Sequence, residues 1–209
     1  MIIFHLFHFN SKYNLRCNNM ASREKTNPFR DSENPYLSET SLRVLDVKER
    51  RPIGNEIQCI TEPSLFLVRV RVNDIGEIAV GSSISIPSEN LGPISEIRLK
   101  DISGSANQEL IGAISEAIIS NPDTHLGFFN RASPMNLKFH SFQLLPGIGN
   151  SKALQMVDER GLSGWESFDQ VDESCGIESV RLLAERYVKE MEDIAQTPRL
   201  LDLIVRTEI

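Results

Sequence analysis

The stretch Leu144-Leu145-Pro146-Gly147-Ile148-Gly149-Asn150-Ser151-Lys152 constrains this chain more than any other. It sets a proline and two glycines between two stretches of helical periodicity. Upstream, a helix opening at Ser133-Pro134 is expected to carry Leu137, Phe139 (or His140), Leu144 and Leu145 toward the core. Downstream, Asn150 or Ser151 caps a helix that runs to Arg160 and ends at Gly161. Proline cannot continue the first helix, and glycine permits the tight reversal. Such a turn leaves backbone N–H groups unpaired beside a helix N-terminus, which is a seat for a phosphate oxygen. Pro146, Gly147, Ile148, Gly149, Asn150 and Ser151 are the expected backbone seat, with Lys152 adding a charge. The segment reads as the hairpin of a helix-hairpin-helix; the plainer alternative is a helix connection that uses Pro and Gly for geometry alone. A second helical pair, 167–174 and 177–191, joined near Cys175-Gly176, gives the first a partner for a shared core.

Charge limits what such a seat can do. The 209 residues carry a net charge of -7, which argues against a broad, sequence-blind grip on DNA. Residues 1–52 are the exception, with nine Lys/Arg against six Asp/Glu. Acidity elsewhere favours a protein that docks on other proteins. The three cysteines, Cys17, Cys59 and Cys175, lie far apart, with neither CxxC spacing nor a disulfide framework, and a reducing cytoplasm is the simplest setting. No apolar run approaches the roughly 20 residues of a membrane span. Residues 1–9 are apolar but too short for a span. They have no leading positive charge and no small-residue cleavage site, so a secretory signal is not expected. Met20 begins a polar stretch of disordered composition. It is read as the native start, with residues 1–19 a mis-assigned extension and residues 1–40 outside the fold.

From 41 to 102 the pattern is that of a small β domain. Leu42-Arg43-Val44-Leu45-Asp46-Val47, Glu56-Ile57-Gln58-Cys59-Ile60-Thr61, Leu65 to Val72, Ser83-Ile84-Ser85-Ile86 and Ile94 to Leu99 read as four or five short strands. Closure into an OB-like barrel would remove their edges, although spacing alone does not separate it from an SH3-like barrel. Residues 103–135 are connecting helices. The first is capped by Ser103 or Ser105 and faces inward with Leu110, Ile111, Ile114, Ile118 and Ile119; the second follows Asn121-Pro122. The helix-hairpin-helix domain spans 136–196, and 197–209 forms a returning strand or a last helix. The fold class is therefore α+β, a small OB-like β-barrel followed by an all-helical domain.

Other residues suited to binding lie in the β region. Lys48, Arg50 and Arg51 form the densest basic stretch, at a strand end. Arg69 and Arg71 project from one face of a strand. Cations and aromatics on a barrel face can hold single strands, but Phe66 has the opposite parity, so ordinary solubility is the competing reading. His125 and His140 have no accompanying ligands at metal-binding spacing and read as packing or surface residues, His140 bracing the hairpin. Trp165 and Phe168 read as core plugs. Asp169, Asp172 and Glu173 could hold Mg²⁺ in a nuclease but read as a solvated helix face. Phosphate-loop, nucleophile-elbow and zinc-protease motifs are absent from the sequence.

Phe129-Asn130, Ala132, Pro134, His140, Leu144 to Gly149 and Glu159-Arg160 resemble an archaeal family of uncharacterised proteins described as predicted nucleic-acid-binding. Ser167-Phe168, with Trp165 upstream, and Val44-Leu45-Asp46 extend the resemblance from about residue 41 to the C-terminus. It implies an OB-fold, a helix-hairpin-helix and non-enzymatic binding of RNA or DNA. Relatives place Lys directly after the last hairpin glycine; here Asn150-Ser151 intervene, so weaker or more selective phosphate binding is expected. The expectation is a cytoplasmic, non-enzymatic nucleic-acid-binding protein with RNA favoured over DNA, without cofactor, metal, membrane or small-molecule substrate. The alternatives are an adaptor docking acidic helices on a ribosomal or RNA-modification factor and, more weakly, a metal-dependent nuclease.

Overall fold

The computed structural model describes residues 36, 38–50 and 54–207. The expectations for residues 1–19 and a start at Met20 lie outside them, as does Arg51. Five antiparallel strands come first: β1 (Ser41–Arg50), β2 (Gly54–Glu62), β3 (Leu67–Val72), β4 (Ser83–Ser85) and β5 (Leu91–Glu96), in the sheet order β4-β1-β2-β3-β5. Alternation sets their faces. Val68, Val70 and Val72 of β3 are buried while Arg69 and Arg71 are exposed. Leu42, Val44, Ile57, Cys59, Val68, Val70, Val72 and Leu91, with partly buried Ile84 and Ile94, form one apolar cluster. All five strands contribute to it, so the sheet curls around its own core.

The expected barrel closure is not found, because β4 and β5 are the two edges of the described sheet. β4 is only three residues long, and Pro93 of β5 has no N–H to give. Register shifts accompany the curl, between Val44 and Asp46 of β1 and between Val70 and Val72 of β3. In β1 the extra residue, Leu45, turns to the opposite face and joins the helical core.

That opposite face receives α1 (Gly104–Ser120), and on α1 and one another pack the helices α2 (Pro122–Arg131), α3 (Asn150–Arg160), α4 (Phe168–Cys175) and α5 (Ser179–Glu192). Ser103 caps α1: its hydroxyl accepts from the Ala106 N–H (3.1 Å) and donates to Asp46 Oδ2 (2.5 Å), while its N–H donates to Gln58 Oε1 (2.8 Å). The cap thus fixes helix to sheet. Leu110, Ile114 and Ile118 are fully buried as expected, but Ile111 and Ile119 are exposed. The inward stripe runs through Ala113 and Ala117 instead, whose small side chains let the helix lie close.

No helix opens at Ser133-Pro134. Two short strands, β6 (Pro134–Asn136) and β7 (Phe139–His140), form a hairpin there, and Leu137 at its tip is fully exposed. The Asn136 side chain accepts the Lys138 N–H (2.9 Å), a local turn that competes with helix. After a 3-10 turn (Ser141–Leu144) the chain enters the glycine hairpin and α3. The C-terminal segment forms one π-helical turn (Leu201–Val205). The second core joins Phe128, Phe129, Phe142, Trp165 and Phe168 to α1 and α5. Trp165 and Phe168 lie in it as expected, and the indole N–H of Trp165 donates to Ser174 Oγ (2.9 Å). Among the described residues no helix is long and apolar enough to cross a membrane.

Candidate nucleic-acid interface

The hairpin is assembled by residues on either side of it. His140 Nδ1 accepts the Phe142 N–H (3.2 Å), and Gln143 Oε1 accepts the His140 N–H (2.8 Å), a reciprocal cap on the 3-10 turn. Arg160 donates to the carbonyls of Phe129 (3.2 Å) and Ala132 (2.6 Å) and lies over the Phe142 ring. Asn130 pairs with both backbone groups of Trp165, at 2.8 Å each. Asn130, His140 and Arg160, which helped carry the family resemblance, therefore act as scaffold.

Within the hairpin, Gly147 has φ +74°, a left-handed conformation that favours glycine. Gly149 differs. It is the N-cap of α3 with φ -86°, and an added Cβ would meet no atom within 4 Å. Neither backbone conformation nor internal packing requires glycine at that position. The open side faces outward, where a close approach to a ligand would exploit the missing side chain. The Ala153 N–H is the first in α3 to close onto the helix, bonding Gly149 O at 2.9 Å. Among the described residues the N–H groups of Gly149, Asn150, Ser151 and Lys152 have no hydrogen-bond partner. Together they place partial positive charge at the N-terminus of α3.

Lys152 does not add its charge there. Its ammonium donates to the Cys175 carbonyl at the C-terminus of α4 and to Gln155 Oε1 (3.2 Å). Instead, a groove of about 620 Å³ runs beside the hairpin, lined by Pro146, Gly147, Ile148 and Gly149 on one wall and by Lys189 of α5 on another. Lys189 is exposed and, among the described residues, forms no ion pair. It is a cation the sequence reading missed, because its approach to the hairpin depends on how α5 packs. Arg186 also lines the groove but is committed to structure: it pairs with buried Glu190 (2.6 Å) and donates to Pro198 O (2.7 Å).

The basic residues of the sheet form a separate group. Register sets Lys48 opposite Glu56 and Glu56 opposite Arg71, while Gln58 lies opposite Arg69. Lys48 is 3.5 Å from Asp46 Oδ2, and Arg69 is 3.7 Å from Glu56 Oε2. Lys48, Arg69 and Arg71 thus share a face, but acidic neighbours offset much of their charge. Arg50 ends β1. The acidic set has a structural member, since Asp172 Oδ1 accepts the Ser179 N–H (2.7 Å) at the start of α5. Among the described residues no group of three or more His, Cys, Asp or Glu converges.

Comparison with known proteins bears on the fold and the family. The chain is 26% identical over 141 residues to the uncharacterized protein MJ0038 of Methanocaldococcus jannaschii. That match spans 66% of this chain and 65% of the relative's length. The fold is similar to the crystal structure of Af1531 from Archaeoglobus fulgidus, with a TM-score of 0.70 and 23% identity, covering 78% of this chain and 99% of that one. The model of a family described as a protein of unknown function, DUF655, matches residues 42–199. Because that match runs from the first strand to the C-terminal segment, the chain belongs to the DUF655 family, an uncharacterised family with archaeal members.

Proposed function

We propose that this protein binds nucleic acid without catalysing a reaction on it, with RNA favoured over DNA. In this reading the hairpin and its flanking elements work as a helix-hairpin-helix, and the curled sheet as an open OB-like platform. The observation that carries the reading is the run of N–H groups from Gly149 to Lys152 that have no partner among the described residues, beside a glycine that neither conformation nor packing requires. A phosphate oxygen supplies the acceptors and counter-charge that these groups lack. The acidic surface restricts binding to a few local contacts, which suits loops and single strands better than a uniform duplex. RNA presents such elements more often, hence the preference. Non-enzymatic action is supported by Asp172, the central residue of the acidic set, whose carboxylate is engaged by the Ser179 N–H.

Titration of labelled single- and double-stranded RNA and DNA over a salt series tests this. One hairpin phosphate and one lysine predict a shallow log–log slope of about -1 to -2. Gly149→Pro removes one amide at a φ proline tolerates, and affinity should fall about tenfold or more. Gly147→Pro is a poorer probe, because φ +74° excludes proline and the turn itself would be lost. Absence of binding at low salt, or full affinity in folded Gly149→Pro, overturns the proposal.

A second reading, an adaptor on a ribosomal or RNA-modification factor, is favoured by one feature. Exposed Met135 and Leu203 flank a mostly apolar depression of about 280 Å³ between α2 and the C-terminal turn. Capture of a protein partner that survives nuclease treatment and is lost in Leu203→Asp would support it.

A further inference from the structure

Two helical connections of this domain share a four-residue spacing from a leading glycine to the next helix, although their N-cap residues differ in ψ, 177° at Gly149 and 78° at Glu178. Gly147-Ile148-Gly149-Asn150 leads into α3, and Gly176-Ile177-Glu178-Ser179 leads into α5. Both leading glycines are left-handed, at φ +74° and +59°. The helix-opening amides nevertheless meet different fates. In the second connection Asp172, four residues before Gly176, places its carboxylate on the Ser179 N–H at 2.7 Å. The second connection therefore holds a carboxylate of the same chain on its helix-opening amide. The corresponding residue in the first connection is Gln143, whose side-chain oxygen is taken by the His140 N–H, and the Asn150 N–H has no partner among the described residues. The second connection also carries Glu178 where the first has Gly149. One connection is thus filled by its own carboxylate, while its counterpart is open to an outside anion.

The open connection borders the groove beside α5. Beyond Lys189, that groove is lined by the half-buried Phe139 ring, by Gln143, Gln196 and Thr197. The shielded Gln196 Oε1 has no hydrogen-bond partner among the described residues. At about 620 Å³ the groove is within the range that holds small ligands. An aromatic ring, amide and hydroxyl groups and a cation beside a phosphate seat are the chemistry that recognises a nucleotide whose base is unpaired.

Resting on the reading of the hairpin as a phosphate seat, we propose that the protein grips one unpaired strand, not a duplex. The phosphate lies on the amides of Gly149 to Ser151, Lys189 supplies the counter-charge, and the adjoining nucleoside enters the groove against Phe139. The second connection contributes no phosphate contact, because the Asp172 carboxylate already occupies its helix-opening amide and Glu178, paired with Arg181 at 3.3 Å, stands where the first connection has a glycine.

The test is anisotropy titration of the full chain with a labelled uridylate single strand and a blunt RNA duplex of equal length. Wild type is expected to favour the single strand about tenfold or more. Lys189→Glu and Phe139→Ala should each lower single-strand affinity about tenfold, consistent with loss of one charge contact or one stacking ring. Lys189 is exposed, so its variant folds whether or not Phe139→Ala does. Equal or tighter duplex binding overturns the inference. So does single-strand binding that depends on Gly149 but is indifferent to Lys189 and Phe139, an outcome that leaves the hairpin reading intact. No binding of either probe overturns both.

Discussion

Single residues divide here into those that hold the molecule and those left open. His125 belongs to the first kind: it is buried, its Nδ1 lies 3.0 Å from the Tyr187 hydroxyl, and burial lowers its pKa to about 4. Burial and Arg160 lower that of His140 as well. An unfolded histidine titrates near 6.5, so between about pH 6.5 and pH 4 the unfolded chain binds a proton that the folded one refuses. Stability is therefore full above about pH 6.5 and falls on acidification, by about 3 kcal/mol for His125 once pH reaches 4. Urea midpoints at neutral pH and at mildly acidic pH should show the loss, with a shallower fall in His125→Gln; an unchanged acid limb in that variant would refute the assignment. Lys152 and Lys189 show what residue-level reading could not supply. The sequence places Lys152 in the first turn of the hairpin helix, but the neighbouring α4 carbonyl takes its ammonium. Lys189 lies far along the chain yet reaches the groove.

Elements formed where local signals were strong. The strands β1 to β3, α1 and α3 were legible from alternation, periodicity and capping residues, because those signals act within a few neighbours. The segment from Ser133 to Leu144 was not. Its apolar spacing imitates a helix, while an Asn136 turn and the docking of Phe142 among other aromatics make a strand pair and a 3-10 turn. Ser103 shows a cap with two duties, since it opens α1 and ties it to Asp46 of β1. Ser103→Ala should destabilise the protein by about 2 kcal/mol, through the lost cap and the carboxylate left without its hydroxyl donor. A double-mutant cycle with Asp46→Asn should return a coupling of about 1 kcal/mol in urea unfolding. Additive single losses would mean that the cap and the sheet contact act independently.

For the whole molecule, the C-terminal turn joins the helical core back to the sheet. Arg206 donates to the carbonyls of Ser64 (3.0 Å) and Leu65 (3.1 Å) and stacks 4.1 Å from the Phe66 ring centroid. Arg206→Ala should lower stability by about 2 kcal/mol, loosening the C-terminal segment first. Thermal unfolding with limited proteolysis after Pro198 checks this, and an unaltered cleavage pattern would contradict it. The sequence alone determined that strands precede helices, that glycines reverse the chain before α3, and that the chain is net acidic. These follow from backbone propensity and summed charge, which do not depend on distant contacts. Only the tertiary structure decided that the described sheet stays open, that Asp172 fills one of two glycine-led turns, and that Lys189 rather than Lys152 lines the groove beside the other. Each of these depends on which groups meet across the fold, and chain order does not specify such meetings.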